Sequence, residues 1–127
     1  MKDLFISYEQ AIQLKELGFD EPCLFGYNQD DENKLMTVPQ LSSYDINSAK
    51  NSDASKINKV TAPLKQQVLR WFREKCELHG YIEGMYPWCR YYINSEDDRW
   101  EGHKYNTYEE CENSLTNKLI EIVKNKP

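Results

Sequence analysis

Apolar residues recur at intervals of three and four in three stretches of the chain, the spacing that buries one face of a helix. The first of these predicts a helix over residues 8–17, with Ser7 as N-cap and Gln10 completing a capping box. Gly18 follows as a left-handed C-terminal cap, and Phe19 is placed to fold back onto the helix in a Schellman motif. Both ends of the first helix are therefore predicted from local signals.

The second stretch predicts a helix that Thr61 caps, with Pro63 in its first turn and Gly80 ending it. Proline costs little in a first turn, because its missing N–H would have no partner there. One broad face is apolar, and the opposite face mixes Arg70 and Arg73 with glutamates. The apolar positions are Leu64, Val68, Leu69, Trp71, Phe72, Cys76 and Leu78.

The third stretch predicts a C-terminal helix, with Thr107 as N-cap and Glu110 at the capping-box position. Glutamates gather at its start and lysines towards its end, and both placements complement the helix dipole. Its predicted apolar face consists of Tyr108, Cys111, Leu115, Leu119, Ile122 and Val123.

Short runs rich in strand-forming residues lie between the helices. Residues 23–27 and 34–38 flank a polar acidic stretch and predict a first hairpin. Residues 88–93 and 100–105 flank the acidic turn 94–99 and predict a second, with a further short strand at 81–82 left open. We expect an α+β fold in which three helices pack on antiparallel hairpins, in the order α-β-β-α-β-β-α.

Residues 40–59 differ in composition from the rest of the chain, because they are rich in Ser, Asn, Asp and Lys and have no hydrophobic period. A segment of this length without periodicity predicts a flexible loop, either a solvated linker or a segment that orders on binding. The whole chain, residues 1–127, is expected to form a single domain with this loop inside it.

The net charge, the N-terminal sequence and the cysteines limit which partners and which cellular location are expected. The net charge of −5 disfavours non-specific binding to a phosphate backbone, but it is compatible with a basic partner protein. The start of the chain lacks the apolar core of a signal peptide, and no stretch approaches the length of a membrane span. We therefore expect a cytoplasmic protein whose four cysteines are free thiols.

Three segments resemble small uncharacterised proteins of Bacteroidota and of their phages or prophages. They are residues 17–23 (LGFDEPC), residues 61–75 (TAPLKQQVLRWFREK), and residues 105–111 (YNTYEEC) running into residues 119–124 (LIEIVK). The resemblance covers less than half of the chain, and the shared residues are mostly helix caps and core positions. It implies an accessory protein of a mobile element, and such small acidic proteins include inhibitors of host defence, among them anti-CRISPR proteins.

Signals for metal binding and catalysis are weak. Cys76 and His79 have a spacing of three, and Cys89 or His103 could add a ligand, but the paired short spacings of structural zinc sites are absent from the sequence. No nucleophile elbow and no phosphate-binding glycine loop occurs. We therefore expect no metal, no cofactor and no catalytic residue.

A binding surface is the leading hypothesis. Trp88, Arg90 and Tyr92 alternate along one strand and are predicted to share one face, and Trp100 begins the partner strand. Tryptophan and arginine are typical of interface hot spots. The competing interpretation places Trp88 and Trp100 in the core.

The acidic turn completes the predicted partner-binding set, which is Trp88, Arg90, Tyr92, Asp97, Asp98 and Trp100. Asp97 and Asp98 would form an anionic rim beside the aromatic residues, suited to a basic groove that normally holds nucleic acid. The residues thus predict a non-catalytic protein-binding module. The resemblance implies that it belongs to a mobile element and that, in the cytoplasm of a bacterial host, it inhibits a host factor such as a CRISPR-type nuclease.

Two alternatives stay open from the residues. A nucleic-acid-binding protein would use the basic residues Lys65, Arg70, Arg73 and Lys104. A small enzyme would use Cys89 with His103, paired across the second hairpin.

Overall fold

The computed structural model describes residues 2–28, 31–41, 48–53 and 60–126. The chain divides into two compact units, Met1–Lys65 and Gln66–Pro127. Within the described residues the fold is mixed α+β, with four α-helices and two three-stranded antiparallel sheets. The predicted α+β class is confirmed, and the single domain over 1–127 stays a prediction.

The first helix of the first unit, α1 (Tyr8–Glu16), forms where its caps predict. Ser7 and Gln10 make both bonds of the capping box. At the other end Gly18 is left-handed (φ 96°), and the Phe19 N–H donates to the Leu14 carbonyl at 3.0 Å, as in a Schellman motif. The sequence signals are sufficient here because each is local.

The sheet of the first unit contains β1 (Phe25–Asn28), β2 (Asp31–Thr37) and β3 (Val60–Thr61), in the order β2-β1-β3. The predicted hairpin is confirmed, but β2 ends one residue early, because Val38 begins the short helix α2 (Val38–Leu41).

The third strand of this sheet was not predicted. Thr61, the expected N-cap of the second helix, pairs instead with Gly26 of β1. Threonine is β-branched and suits a buried strand, and its hydroxyl finds a partner inside the unit. The cap prediction for Thr61 was therefore wrong.

The structure describes two parts of the predicted loop 40–59. Residues 40–41 belong to α2, and residues 48–53 are tied into the first unit; residues 42–47 and 54–59 lie outside the described part. Ala49 pairs with Cys23 through two backbone hydrogen bonds, and a 3₁₀ turn follows at Asn51–Asp53. Buried Asn51 donates to the Phe19 carbonyl at 2.8 Å and accepts from the N–H and hydroxyl of Thr61, both at 3.1 Å. Hydrophobic periodicity cannot reveal this anchor, because it is polar.

Helix α3 (Lys65–Cys76) is shorter than predicted at both ends. Val68, Trp71 and Phe72 are buried, as expected. The helix ends at Glu77, which is left-handed (φ 56°), and not at Gly80.

A three-stranded meander follows α3: β4 (His79–Met85), β5 (Trp88–Asn94) and β6 (Arg99–Glu101), in the order β4-β5-β6. The predicted hairpin exists as β5–β6, but its second strand ends at Glu101, not Tyr105. Strand β4 is a full partner of β5, where only a short strand at 81–82 was considered. Over the residues that the structure describes the order is α-β-β-α-β-α-β-β-β-α, so the predicted order is only partly matched.

Helix α4 (Tyr108–Lys124) packs on one side of this sheet, and Thr107 caps it as predicted. Cys111, Leu115 and Leu119 are fully buried, whereas Tyr108 is half exposed. A Cβ on Gly80 would lie 3.0 Å from Leu115, so glycine at this point of β4 lets the helix approach the sheet. Gly80 therefore serves helix–sheet packing and does not terminate α3.

Candidate binding surfaces

The sheet β4-β5-β6 has two different faces. Tyr91 and Ile93 of β5 are buried on the side that α4 covers, which we call the inner face. Alternation along the strand puts Trp88, Arg90 and Tyr92 on the other side, the outer face. The structure thus brings together three of the six predicted binding residues. The strand register adds Tyr81 and Glu83 of β4 and Arg99 and Glu101 of β6 to this face.

Trp88 lies close to two cations on the outer face. The Arg90 guanidinium carbon is 5.6 Å from the centre of a Trp88 ring, and the Lys104 ammonium is 4.6 Å from it. Each such contact contributes on the order of 0.5–1 kcal/mol at exposed sites. These contacts favour one orientation of the half-buried indole.

A β-bulge explains how Lys104 reaches Trp88. Gly102 bonds opposite Tyr91, and Tyr105 pairs with Cys89, so the second segment contains one residue more than β5 over this distance. An extra residue reverses the alternation of the segment that follows it. Lys104 therefore lies on the outer face. Without the bulge, the β5–β6 register would put Lys104 opposite Cys89, on the inner face.

A second stack lies beside Trp88. The rings of Tyr81 and Tyr92 are 5.3 Å apart at an interplanar angle of 24°, and the Arg99 guanidinium carbon is 4.8 Å from the Tyr92 ring. Arg99 also approaches Glu101, at 3.9 Å between Nε and Oε1. Together with Trp88, Arg90 and Lys104 these residues form a layer of aromatic rings and cations on three adjacent segments.

Arg90 retains an unused donor. Its Nε atom is buried and has no hydrogen-bond partner within the described residues. A buried donor without a partner costs about 1–3 kcal/mol, so such atoms are rare outside functional or water-filled positions. This feature distinguishes Arg90 from the other outer-face cations.

The other three predicted residues lie elsewhere. Trp100 is opposite Ile93 in the β5–β6 register, so it belongs to the inner face and not with Trp88. Asp97 and Asp98 are in the turn between these strands, where the Ser95 N–H donates to the Asp98 carbonyl at 2.9 Å. Both tryptophans are half-buried, so neither is a fully buried core residue.

Trp100, Asp97 and Asp98 line a cavity of about 500 Å³, which we call the end cavity. Its walls come from the end of α3, the β5–β6 turn and the C-terminal half of α4. The lining residues are Cys76, Glu77, Leu78, Ser95, Glu96, Asp97, Asp98, Trp100, Lys118, Glu121, Ile122, Asn125 and Lys126. Its size falls within the range of about 300–1,000 Å³ that is typical of ligand sites.

The predicted Cys–His chemistry lacks the expected contacts. Cys89 is on the inner face, His103 is exposed, and the described residues show no hydrogen bond between their side chains. Burial, with smaller contributions from Cys89 and Glu112, raises the pKa of the Cys111 thiol to about 11. Among the described residues no group of three or more His, Cys, Asp or Glu side chains is placed to hold a metal ion.

The four basic residues of the nucleic-acid alternative have different environments. Lys65 is buried, Arg70 and Arg73 are exposed on α3, and Lys104 lies over Trp88. A buried lysine is a poor phosphate contact, so Lys65 does not suit the role that this alternative gives it.

Sequence reasoning missed Tyr81, Arg99 and the outer-face position of Lys104. Tyr81 could have been found from its place in an alternating run, His79–Glu83, had Gly80 not been interpreted as a helix stop. The position of Lys104 depends on a bulge, for which the isolated Gly102 was the available signal.

Comparisons with known protein families, with curated proteins and with solved structures find no match for this chain. No helix among the described residues has the length and apolar character needed to cross a membrane.

Proposed function

We propose that this chain is a non-catalytic protein-binding module whose outer face is the contact surface. The observation that carries the proposal is the layer in which Trp88 is held by Arg90 and Lys104 beside the Tyr81–Tyr92–Arg99 stack. Trp, Tyr and Arg are the residue types that dominate binding energy at protein interfaces. Rings that are already packed lose little conformational freedom on binding.

The charges of the outer face favour a protein partner over nucleic acid. Glu83 and Glu101 lie among the three cations, and the whole chain has a net charge of −5. A phosphate backbone would meet both signs of charge, whereas a protein surface can match them. Arg90 presents a planar guanidinium that can donate two parallel hydrogen bonds to a partner carboxylate.

The biological setting proposed for this module is a mobile element, where it would inhibit a host factor such as a CRISPR-type nuclease. This part of the proposal is supported by the resemblance of residues 17–23, 61–75, 105–111 and 119–124 to small uncharacterised proteins of Bacteroidota and of their phages or prophages. A nuclease that holds nucleic acid offers a basic groove, to which an acidic chain is electrostatically complementary.

The test begins with capture of partners by the tagged chain from a bacterial lysate, followed by affinity measurement with the purified partner. Trp88→Ala and Tyr92→Ala are each expected to weaken binding by at least about 30-fold, the effect of losing a hot spot. Tyr108→Ala is the matched control, since Tyr108 is 50% exposed but lies on α4. Equal affinity of Trp88→Ala, Tyr92→Ala and wild type, with folding retained, would exclude the outer face.

Nucleic acid is the other outcome that this design detects. Single-stranded oligonucleotides titrated at increasing salt are expected to show no more than weak binding. Tight binding that falls steeply with salt and is lost in Lys104→Ala would show that the outer face binds nucleic acid and not a protein.

A further inference from the structure

The end cavity combines an apolar wall with a charged rim. Leu78 is fully buried, and Trp100 and Ile122 are half-buried, so these side chains form its inner lining. Glu77, Glu96, Asp97 and Asp98 are exposed at its rim. A concave site with apolar walls and a few convergent polar groups is the usual form of a ligand site.

The rim carboxylates lack internal partners. Within the described residues no side-chain hydrogen bond or ion pair engages the carboxylates of Glu77, Glu96, Asp97 or Asp98. On the opposite wall Lys118 is paired with Glu121, at 3.5 Å between Nζ and Oε2. The negative charge of the turn side is therefore left for a cation from outside.

The C-terminal ends of two helices add to the preference of the end cavity for a cation. Helix α3 ends at Cys76, and α4 ends at Lys124 with Asn125 as its C-cap, so both helices end at or next to residues that line the cavity. The last carbonyls of a helix carry partial negative charge. Lys126, which also lines the cavity, offsets only part of it.

We infer that the end cavity binds an arginine side chain from a short basic segment of the partner protein. A guanidinium is planar and weakly hydrated, so it can stack on the indole of Trp100 while it donates bidentate hydrogen bonds to Asp97 or Asp98. A lysine ammonium would match the charge but not the flat ring. The cavity is larger than one side chain, so the flanking residues of the segment also enter it.

This inference rests on the proposed function for the origin of the segment, but its test addresses the cavity alone. The probe is the peptide acetyl-Gly-Arg-Gly-amide, titrated into the isotope-labelled protein while amide and indole resonances are followed by NMR. The matched probe contains citrulline, which replaces the guanidinium by a neutral urea of almost the same shape.

The arginine peptide is expected to shift the Trp100 indole and Ile122 resonances saturably, at concentrations in the millimolar range, and more weakly as salt rises. The citrulline peptide is expected to leave them in place. Equal shifts from both peptides, or no shift from the arginine peptide, would overturn the inference.

A charge-removing variant completes the test. Asp97→Asn with Asp98→Asn is expected to weaken arginine-peptide binding at least tenfold, because asparagine keeps the turn but removes both carboxylates. Glu9→Gln with Glu16→Gln changes the net charge equally on exposed positions of α1 and is expected to bind like wild type. Unchanged affinity in the Asp97/Asp98 variant would also overturn the inference.

Trp88→Ala separates the two proposals. It should bind the peptide normally even as it loses the partner. If the end cavity binds no arginine, the proposal for the outer face still stands. If the outer face binds no partner, the arginine site can still be tested with the peptide.

Discussion

The two units of the chain use aromatic and polar side chains in different ways. In Met1–Lys65 the ring pairs Phe5–Phe25 and Tyr8–Tyr27 pack at 4.8 and 5.8 Å. The Tyr27 hydroxyl is buried and donates to the Ile6 carbonyl at 2.7 Å. Polar groups of this unit, with Asn51 as the clearest case, are engaged in holding the fold together.

In Gln66–Pro127 the rings of Tyr81, Trp88 and Tyr92 instead lie on the outer face, in contact with cations. Stacking that involves exposed side chains contributes little to stability, whereas the same groups contribute strongly when a partner excludes water. The first unit thus uses its polar residues to hold its own fold, whereas the second leaves aromatic rings and cations together on one face of its sheet, which supports the proposed contact surface.

The largest expected effect is a loss of stability in the first unit, where buried polar groups hold the fold together. Asn51→Ala removes the buried hydrogen bonds that Asn51 makes with the Phe19 carbonyl and the Thr61 N–H, so we expect the free energy of unfolding to fall by about 3 kcal/mol. Urea denaturation followed by circular dichroism measures this change. Ser52→Ala, next to it and exposed, should change stability by less than about 0.5 kcal/mol. A similar small effect for Asn51→Ala would show that the buried amide is not a structural anchor.

A somewhat smaller effect is expected on the inner face of the second unit. A Cβ on Gly102 would overlap the Tyr91 ring, so Gly102→Ala should cost about 1–3 kcal/mol by overpacking. Gly84→Ala is the matched control, because a Cβ there meets no atom within 4 Å. Equal stability of the two variants in urea would contradict the close approach of Gly102 to the Tyr91 ring.

The fold was predictable from the sequence only in part. Helix α1, the first hairpin and the start of α4 were predictable because caps and alternation lie within a few residues of each other. Strand β3 and Asn51 were not, since their partners are distant in sequence. Gly80 was misinterpreted because its role depends on α4, about 35 residues further along.

The predicted binding residues divide in the same way, into those placed by neighbouring residues and those placed by pairing with distant segments. Alternation correctly grouped Trp88, Arg90 and Tyr92, which are neighbours on one strand. It could not place Trp100 or Lys104, because their faces depend on the β5–β6 register and on the bulge after Gly102. Register is set by pairing between strands, and a slip of one residue changes the face of every side chain.

The smallest expected effect is a gain in stability, on replacing Glu77. Glu77 is left-handed at the end of α3, a conformation that costs a non-glycine residue about 1–2 kcal/mol. After the entropy lost by glycine, Glu77→Gly should stabilise the protein by about 0.5–1 kcal/mol. Glu74→Gly, one turn earlier inside α3, should destabilise it by about 1 kcal/mol. A loss of stability in Glu77→Gly would show that the helix does not end as described.

Hydroxyl-radical footprinting of the chain with and without its purified partner tests the central claim most directly, since it reports on individual aromatic side chains. Tyr81 and Tyr108 are comparably exposed, at 42% and 50%, and lie on the outer face and on α4 respectively. We predict that the partner protects Tyr81, Trp88 and Tyr92 from oxidation several-fold and leaves Tyr108 unchanged. Protection of Tyr108 or of residues in Met1–Lys65, with the outer face still reactive, would contradict the account.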